Sequence, residues 1–286
     1  MSKSSFSLAQ RLLIRGRQLK FRNSISSPFI SGGALASVCD FVINKESDLD
    51  AFVRHDRSSH IVFCRSDLAH ELSRLSLING PRRTLIAGNS DHDFTALTQL
   101  PHNGFESFYL QNSLISNGKN IFTLPIGIEN LSIGINGLPN NLKVTKDWNS
   151  RSTKVMVGPF SPTHTEREEL LKVAERETKV FEVIKGPLSP KRFAQEMNEY
   201  KFVACPRGNG IDTHRFWEAL YRGSVPIVIA SKWSKSLKYL DLPLIEVSNW
   251  AEAGNAIKEF ANQSPPRLPS ELKSLWLPYW KNLLNH

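Results

Sequence analysis

Cysteine is scarce in this sequence: the three residues, Cys39, Cys64 and Cys205, lie far apart and show no Cys-x-x-Cys spacing. An odd, scattered set supplies neither a disulfide framework nor a zinc cluster, and a reducing compartment is the simpler expectation. Long apolar runs are also missing. No stretch approaches the roughly 20 uncharged apolar residues of a membrane span, and the N-terminus has no signal-peptide core. Read alone, the sequence predicts a cytoplasmic chain that would meet a membrane only from the side. Internal repeats, low-complexity tracts and recognisable nucleic-acid-binding modules are absent too, so nucleic acid is not an expected partner.

What is present is ordinary for a soluble globular protein, with 40% hydrophobic and 22% charged residues among 286, a length that suits two domains. The net charge of +9 asks for an anionic partner, and a nucleotide diphosphate, a nucleic acid or an acidic lipid would each satisfy it. Residues 1–27 form a basic segment in which Arg11, Arg15, Arg17, Lys20 and Arg22 interleave with Leu8, Leu12, Leu13, Leu19 and Phe21. That pattern fits a basic amphipathic helix resting peripherally on anionic membrane, or a solvated terminal helix.

From 28 to 150, short apolar runs end in Gly, Asn, Asp and Ser, as strands of an α/β layer do where they emerge into loops. Phe29 to Ile30, Ile61 to Cys64, Thr84 to Ala87 and Ile121 to Leu124 are the expected strands, with a helix over Ser66 to Ser76 and an irregular loop over Asn130 to Asn141. A second unit, 151–262, alternates strand and helix: strands at Lys154 to Val157, Phe181 to Ile184, Phe202 to Ala204, Val225 to Ala230 and Leu244 to Val247. Helices are expected at Thr165 to Glu177, Ser189 to Glu199, His214 to Tyr221, Ser234 to Tyr239 and Trp250 to Asn262. The expected fold is α/β: two Rossmann-like domains with a cleft between them, followed by a terminal helix, 263–286, packing back on the first domain through Trp276, Tyr279 and Trp280.

The most informative stretch runs from Cys205 to Glu218. An apolar strand leads into a loop with Gly208, Asn209 and Gly210, then into a helix that Asp212 or Thr213 can cap. Helix-end N–H groups favour a phosphate, and Arg207 and Arg215 supply two forks for its oxygens. Glu218, one turn into the helix, can accept hydrogen bonds from ribose hydroxyls. Each residue also has a plain structural reading: a tight turn at the glycines, an Arg215–Glu218 pair along the helix, an exposed His214 at the helix start.

The order Cys205-Pro206-Arg207-Gly208, Thr213-His214-Arg215-Phe216-Trp217-Glu218-Ala219-Leu220 and Gly223-Ser224-Val225-Pro226-Ile227-Val228 resembles the donor-binding segment of exostosin-type glycosyltransferases, over roughly Pro187 to Ile229. The resemblance implies a GT-B fold, a nucleotide sugar in the interdomain cleft, and transfer with inversion at the anomeric carbon. It also implies that Arg207 and Arg215 contact the diphosphate, that Gly208 lets the backbone approach, and that Glu218 meets the ribose or sugar. The membrane anchor and stem of the animal Golgi members are not seen in this sequence.

Transfer needs a base for the acceptor hydroxyl. Asp91, His92 and Asp93, just after an expected strand, are candidates, as is Glu129 at the end of Leu124-Pro-Ile-Gly-Ile-Glu129. Asp91-His-Asp93 and Asp48-Leu-Asp50 match the Asp-x-Asp spelling that binds a cation in the other glycosyltransferase architecture, GT-A, but arginines and a helix end can carry the phosphate charge, so no metal or cofactor is expected. Arg167 and Lys185 read as solvated charge within reach of the donor, and Ser31-Gly32-Gly33 as a loop against ligand or a turn. The sequence thus points to a glycosyltransferase taking a nucleoside diphosphate sugar donor and a glycan or other hydroxyl acceptor. The rival is a nucleotide- or glycan-binding protein of the same fold without turnover.

Overall fold

Runs of β-branched and aromatic residues too short to span more than one layer, each followed by a helical stretch, build parallel sheets with helices against their faces. The computed structural model describes residues 26–55, 59–72, 82–101, 104–115, 119–262 and 265–284. The amphipathic helix expected in the basic segment lies outside the described residues.

The first sheet is parallel and follows chain order: β1 (Phe41–Ile43), β2 (Ile61–Arg65), β3 (Arg83–Gly88), β4 (Phe105–Leu110) and β5 (Ile121–Thr123). Helices α1 (Gly32–Ala36), α2 (Glu46–His55) and α3 (Ala69–Leu72) accompany it. Alternation along the strands sends Val62, Cys64 and Leu85 to one face, against Phe52, Leu68 and Leu72. Ile61, Phe63, Ile86 and Tyr109 point to the other.

Two expectations change here. Phe29 and Ile30 make no strand; Phe29 and Ser31 form only isolated bridges, with Trp276 and Gly127. Ser31 Oγ accepts from Ala34 N, so the helix start wins over extension, and Ser31-Gly32-Gly33 opens α1. The helix from Ser66 is a 3-10 turn to Leu68 followed by α3, which ends at Leu72 at the border of the described residues. Asp48 Oδ2 accepts from Asn44 N and Lys45 N, so its carboxylate serves the chain entering α2.

The second sheet contains β6 (Ser152–Val157), β7 (Phe181–Val183), β8 (Tyr200–Ala204), β9 (Val225–Ile229) and β10 (Ile245–Val247), all parallel, in the spatial order β7-β6-β8-β9-β10. Its helices are α4 (Thr165–Arg176), α5 (Pro190–Met197), α6 (His214–Tyr221), α7 (Lys232–Ser236) and α8 (Ala253–Ala261). Val155, Val157, Phe202 and Val225 pack on Leu170 and Ala174 of α4 and on Trp250 and Ala253. Met156, Val203 and Val228, on the opposite face, enter the same cluster as Ile61, Phe63 and Tyr109 of the first sheet.

That shared cluster is filled by Phe216, Trp217 and Leu220 of α6 and by Leu277 and Trp280 of the terminal helix α9 (Leu277–Leu284). Trp280 is fully buried, its ring edge-on to Tyr109 at 6.5 Å, which makes it a packing residue. Tyr221 accepts from Ile30 N at 3.0 Å and donates to the Leu275 carbonyl, and Leu277 N donates to Pro28 O at 2.8 Å. The two ends of the described chain are therefore stitched together beside α6. No described helix is long and apolar enough to cross a membrane.

Candidate functional site

In the second sheet the chain runs from β6 outward to β7, then returns across to β8 and continues to β9 and β10. The loops leaving neighbouring strands β6 and β8 therefore diverge, which opens a crevice at their C-terminal ends. A cavity of about 930 Å³ lies there. Its walls come from Pro159 and Phe160 after β6, Gly186 to Leu188 after β7, and the loop after β8 with the start of α6. The C-terminal ends of the first sheet contribute Asp91, Ile126 and Asn136.

Of the residues singled out in the sequence, Gly208, Asn209, Asp212, Thr213, His214, Arg215 and Glu218 line this cavity. Arg207 does not. It faces the first half of the chain, where Nη2 donates to Asp93 Oδ2 at 2.8 Å. Arg167 takes the wall position instead, contrary to its reading as solvated charge, while Lys185 is exposed next to Gly186. Arg167 Nη1 donates to Ser161 O at 2.7 Å and Nε to Arg207 O at 3.0 Å. Arg215 donates to Gly158 O and Pro159 O at 3.3 and 2.9 Å and lies 4.5 Å from the centre of the Phe193 ring.

Both guanidiniums are thus held by carbonyls, and among the described residues neither has a carboxylate within ion-pair distance. Burial and then the neighbouring Arg215 make protonation of Arg167 less favourable, and burial does the same for Arg215. Two like charges facing one cavity, neither of them in an ion pair although Asp91 and Glu218 share the lining, make a site that an anion stabilises. The anticipated Arg215–Glu218 pair gives way to a loose one between Glu218 and Arg222, 3.9 Å apart and buried.

Thr213 is the N-cap residue of α6 but its side chain makes no capping bond, so the helix end is not closed from within. Asp212 does not cap it through the usual geometry either: Oδ1 accepts from Trp217 Nε1 and Oδ2 from Ile126 N, both at 2.8 Å. Only 3% exposed, Asp212 has its carboxyl pushed up to about 7, chiefly by burial, against the pull of these hydrogen bonds. His214 Nδ1 donates to Gly127 O at 2.8 Å. The glycines serve close approach: a Cβ on Gly208 would sit 2.7 Å from Arg167 Nη2, and one on Gly210 would sit 2.6 Å from Asn112 Oδ1.

The candidate bases separate in space. Asp91 lines the cavity and accepts from Asn209 Nδ2 at 3.1 Å. Asp93 does not line it and engages Arg207 and Ile211 N. Glu129 Oε2 accepts from the backbone N–H groups of Ile135, Asn136 and Gly137, so its carboxylate shapes the loop expected to be irregular rather than facing the cavity. His92 is away from the cavity, edge-on to Phe94 and bonded to Gln99. Among the described residues no group of three or more His, Cys, Asp or Glu side chains is placed to hold a metal ion. Phe160, Phe193 and the Gly186–Leu188 rim were not foreseen; the signal for the first was Gly158-Pro159 directly after a strand.

No family model matches the chain, and no curated protein matches it. Among solved structures, a crystal structure of alpha1,3-fucosyltransferase with GDP-fucose is 11% identical over 88% of this chain and 96% of that one, with a TM-score of 0.40. A crystal structure of alpha1,3-fucosyltransferase with GDP is 12% identical over the same shares, with a TM-score of 0.39.

Proposed function

We propose that this chain is a glycosyltransferase that moves a sugar from a nucleoside diphosphate sugar to an acceptor hydroxyl. The observation that carries the reading is the crevice at the β6/β8 switch point, where two carbonyl-held guanidiniums and an uncapped helix end converge on one cavity. In this reading Arg167, Arg215 and the amides at the start of α6 hold the diphosphate, and Gly208 lets the loop approach it. Glu218 meets the ribose or sugar, with Asn209, Asp212, Thr213 and His214 completing the wall. Arg207 acts from behind the loop.

Asp91, on the opposite wall, takes the proton from the acceptor hydroxyl as its oxygen attacks the anomeric carbon. The bond from that carbon to the diphosphate breaks, and the leaving oxygens gather their charge against the guanidiniums and helix end. Attack opposite the leaving group inverts the anomeric centre, and the cationic wall supplies the charge stabilisation that a metal gives elsewhere. The exostosin resemblance supports Arg215, Gly208 and Glu218 in these roles, with Arg167 taking the one it implies for Arg207. A binding protein without turnover would share the cationic wall and would need Asp91 only as the acceptor that holds Asn209.

The test is binding and turnover over a panel of nucleoside diphosphate sugars, with and without chelator. One donor is expected to be consumed. Arg167→Ala and Arg215→Ala are each expected to weaken donor binding by roughly tenfold to a hundredfold, the range for one hydrogen-bonded charge. Asp91→Asn is expected to bind donor normally and lose transfer. A folded protein that binds no donor removes the proposal; donor binding without turnover in any acceptor mixture favours the non-catalytic reading.

A further inference from the structure

The loop that carries the anion site is held from the other half of the chain. Asp93 Oδ2 accepts from Arg207 Nη2 at 2.8 Å, and its Oδ1 accepts from Ile211 N at 3.2 Å. Two residues earlier, Asp91 Oδ2 accepts from Asn209 Nδ2 at 3.1 Å. Both ends and the middle of the stretch from Arg207 to Ile211 are therefore gripped by one Asp-x-Asp spelling. The Asp93–Arg207 pair spans 114 positions of sequence, and both side chains are only 21% exposed, so water screens it less than a surface pair.

Arg207 passes this hold on. Its carbonyl accepts from Arg167 Nε at 3.0 Å, and its own N–H donates to Glu166 Oε1 at 3.3 Å at the start of α4. Arg167 Nη2 lies so close over Gly208 that even a methyl group there would collide with it. The direction of the Arg167 fork thus depends on where the Arg207–Gly208 peptide sits. The Arg207 Nε is buried with no partner among the described residues, so its Nη2 bonds to Asp93 and to Asn209 O carry the placement of the side chain.

We propose that Asp93 is a positioning residue for the anion site: through Arg207 it aims the Arg167 guanidinium into the cavity, so the first half of the chain sets phosphate affinity without touching phosphate. This rests on the donor-site reading above and replaces a base role for Asp93 with a mechanical one. Removing its carboxylate frees the Arg207 side chain and Ile211 N together, at the two ends of the loop.

The experiment titrates inorganic pyrophosphate calorimetrically into the full chain as wild type, Asp93→Ala, Asp93→Asn, Arg207→Ala and the Asp93→Ala/Arg207→Ala double variant. Amide hydrogen exchange over 205–212 is followed in parallel. Asp93→Ala is expected to weaken pyrophosphate about tenfold, the scale of one charge-assisted hydrogen bond, and to speed exchange at Ile211. Arg207→Ala should match it, and the double variant should lose no more than the worse single one, because both break one path. Asp93→Asn, which keeps an acceptor for Ile211 N, should lose less, and it is the variant to read if the alanine does not fold. Wild-type affinity in the Asp93 variants, or losses that multiply in the double variant, overturns the proposal while the donor site stands. If the wild type takes up no pyrophosphate, the donor-site reading falls and this inference with it.

Discussion

Asp212 is a carboxyl group whose burial favours its neutral form more strongly than its hydrogen bonds favour the charged one. It is buried, and among the described residues its oxygens accept from N–H groups of the indole and the backbone. A carboxyl raised from 3.8 to about 7 holds its proton more tightly in the folded chain than in the unfolded one. Its contribution to stability is fully present below 3.8 and is lost as pH rises through about 7. Asp212→Asn does not titrate, and its amide must turn a donor toward one of two donors. The wild type is therefore expected to be more stable than the variant at about pH 5, with the gap shrinking by about pH 8, as read from urea midpoints. A gap that widens with pH would place the proton elsewhere. At this scale the sequence was informative about which residues gather but not about direction. Arg207 and Arg167 exchanged roles because a one-dimensional pattern shows charge, whereas the turn after β8 decides which guanidinium faces inward. Asp91, Asp93 and Glu129 were equivalent on paper and differ in space because nearby backbone N–H groups and Arg207 claim two of them.

The helix starts around the cavity carry a second pH dependence, of opposite sign. His164 is the N-cap of α4, and its Nδ1 accepts from Glu166 N at 3.1 Å, which requires a neutral ring. Burial, then Arg207 and Arg167, lower its pKa below the ordinary 6.5. The cap is thus fully present above 6.5 and is lost as pH falls through the lowered value. His164→Asn keeps a capping acceptor that acid does not remove, so the variant is expected to gain on the wild type by about 1 kcal/mol in acid and to match it near neutrality. Thermal midpoints of the two proteins across that range measure it. Elements were the most legible level of the sequence, because strand–helix alternation in 151–262 is strongly periodic. The first half was harder: Phe41-Val-Ile43 is too short to stand out, and Phe105–Leu110 carries Glu106 and Ser107 within the strand. Phe29-Ile30 has the apolar character of a strand, but Ser31 directly after it caps a helix.

At the scale of the molecule, each sheet closes a core of its own on one face, and the opposite faces of both sheets share a third, larger one. Ile61, Phe63 and Tyr109 of one meet Met156, Val203 and Val228 of the other through α6 and α9. The hydrophobic contribution of that cluster belongs to both halves, so neither gains it alone. Calorimetry is therefore expected to show one unfolding transition, with calorimetric and van't Hoff enthalpies in agreement; two resolved peaks would contradict a shared core. The sequence predicts a terminal helix over 263–286 packing on the first domain; the helix is Leu277–Leu284, behind two 3-10 turns, and its place between the two sheets rests on long-range contacts that no local pattern records. The stitching of Pro28 and Ile30 to Leu277 and Tyr221 has a consequence for how the chain can be inherited or rebuilt. Halves with no core in common could be exchanged between relatives like parts. Here a transplanted half would keep its outer core but lose the partner surface that fills the shared one, so the loops around the cavity are the parts that can change without unpacking it.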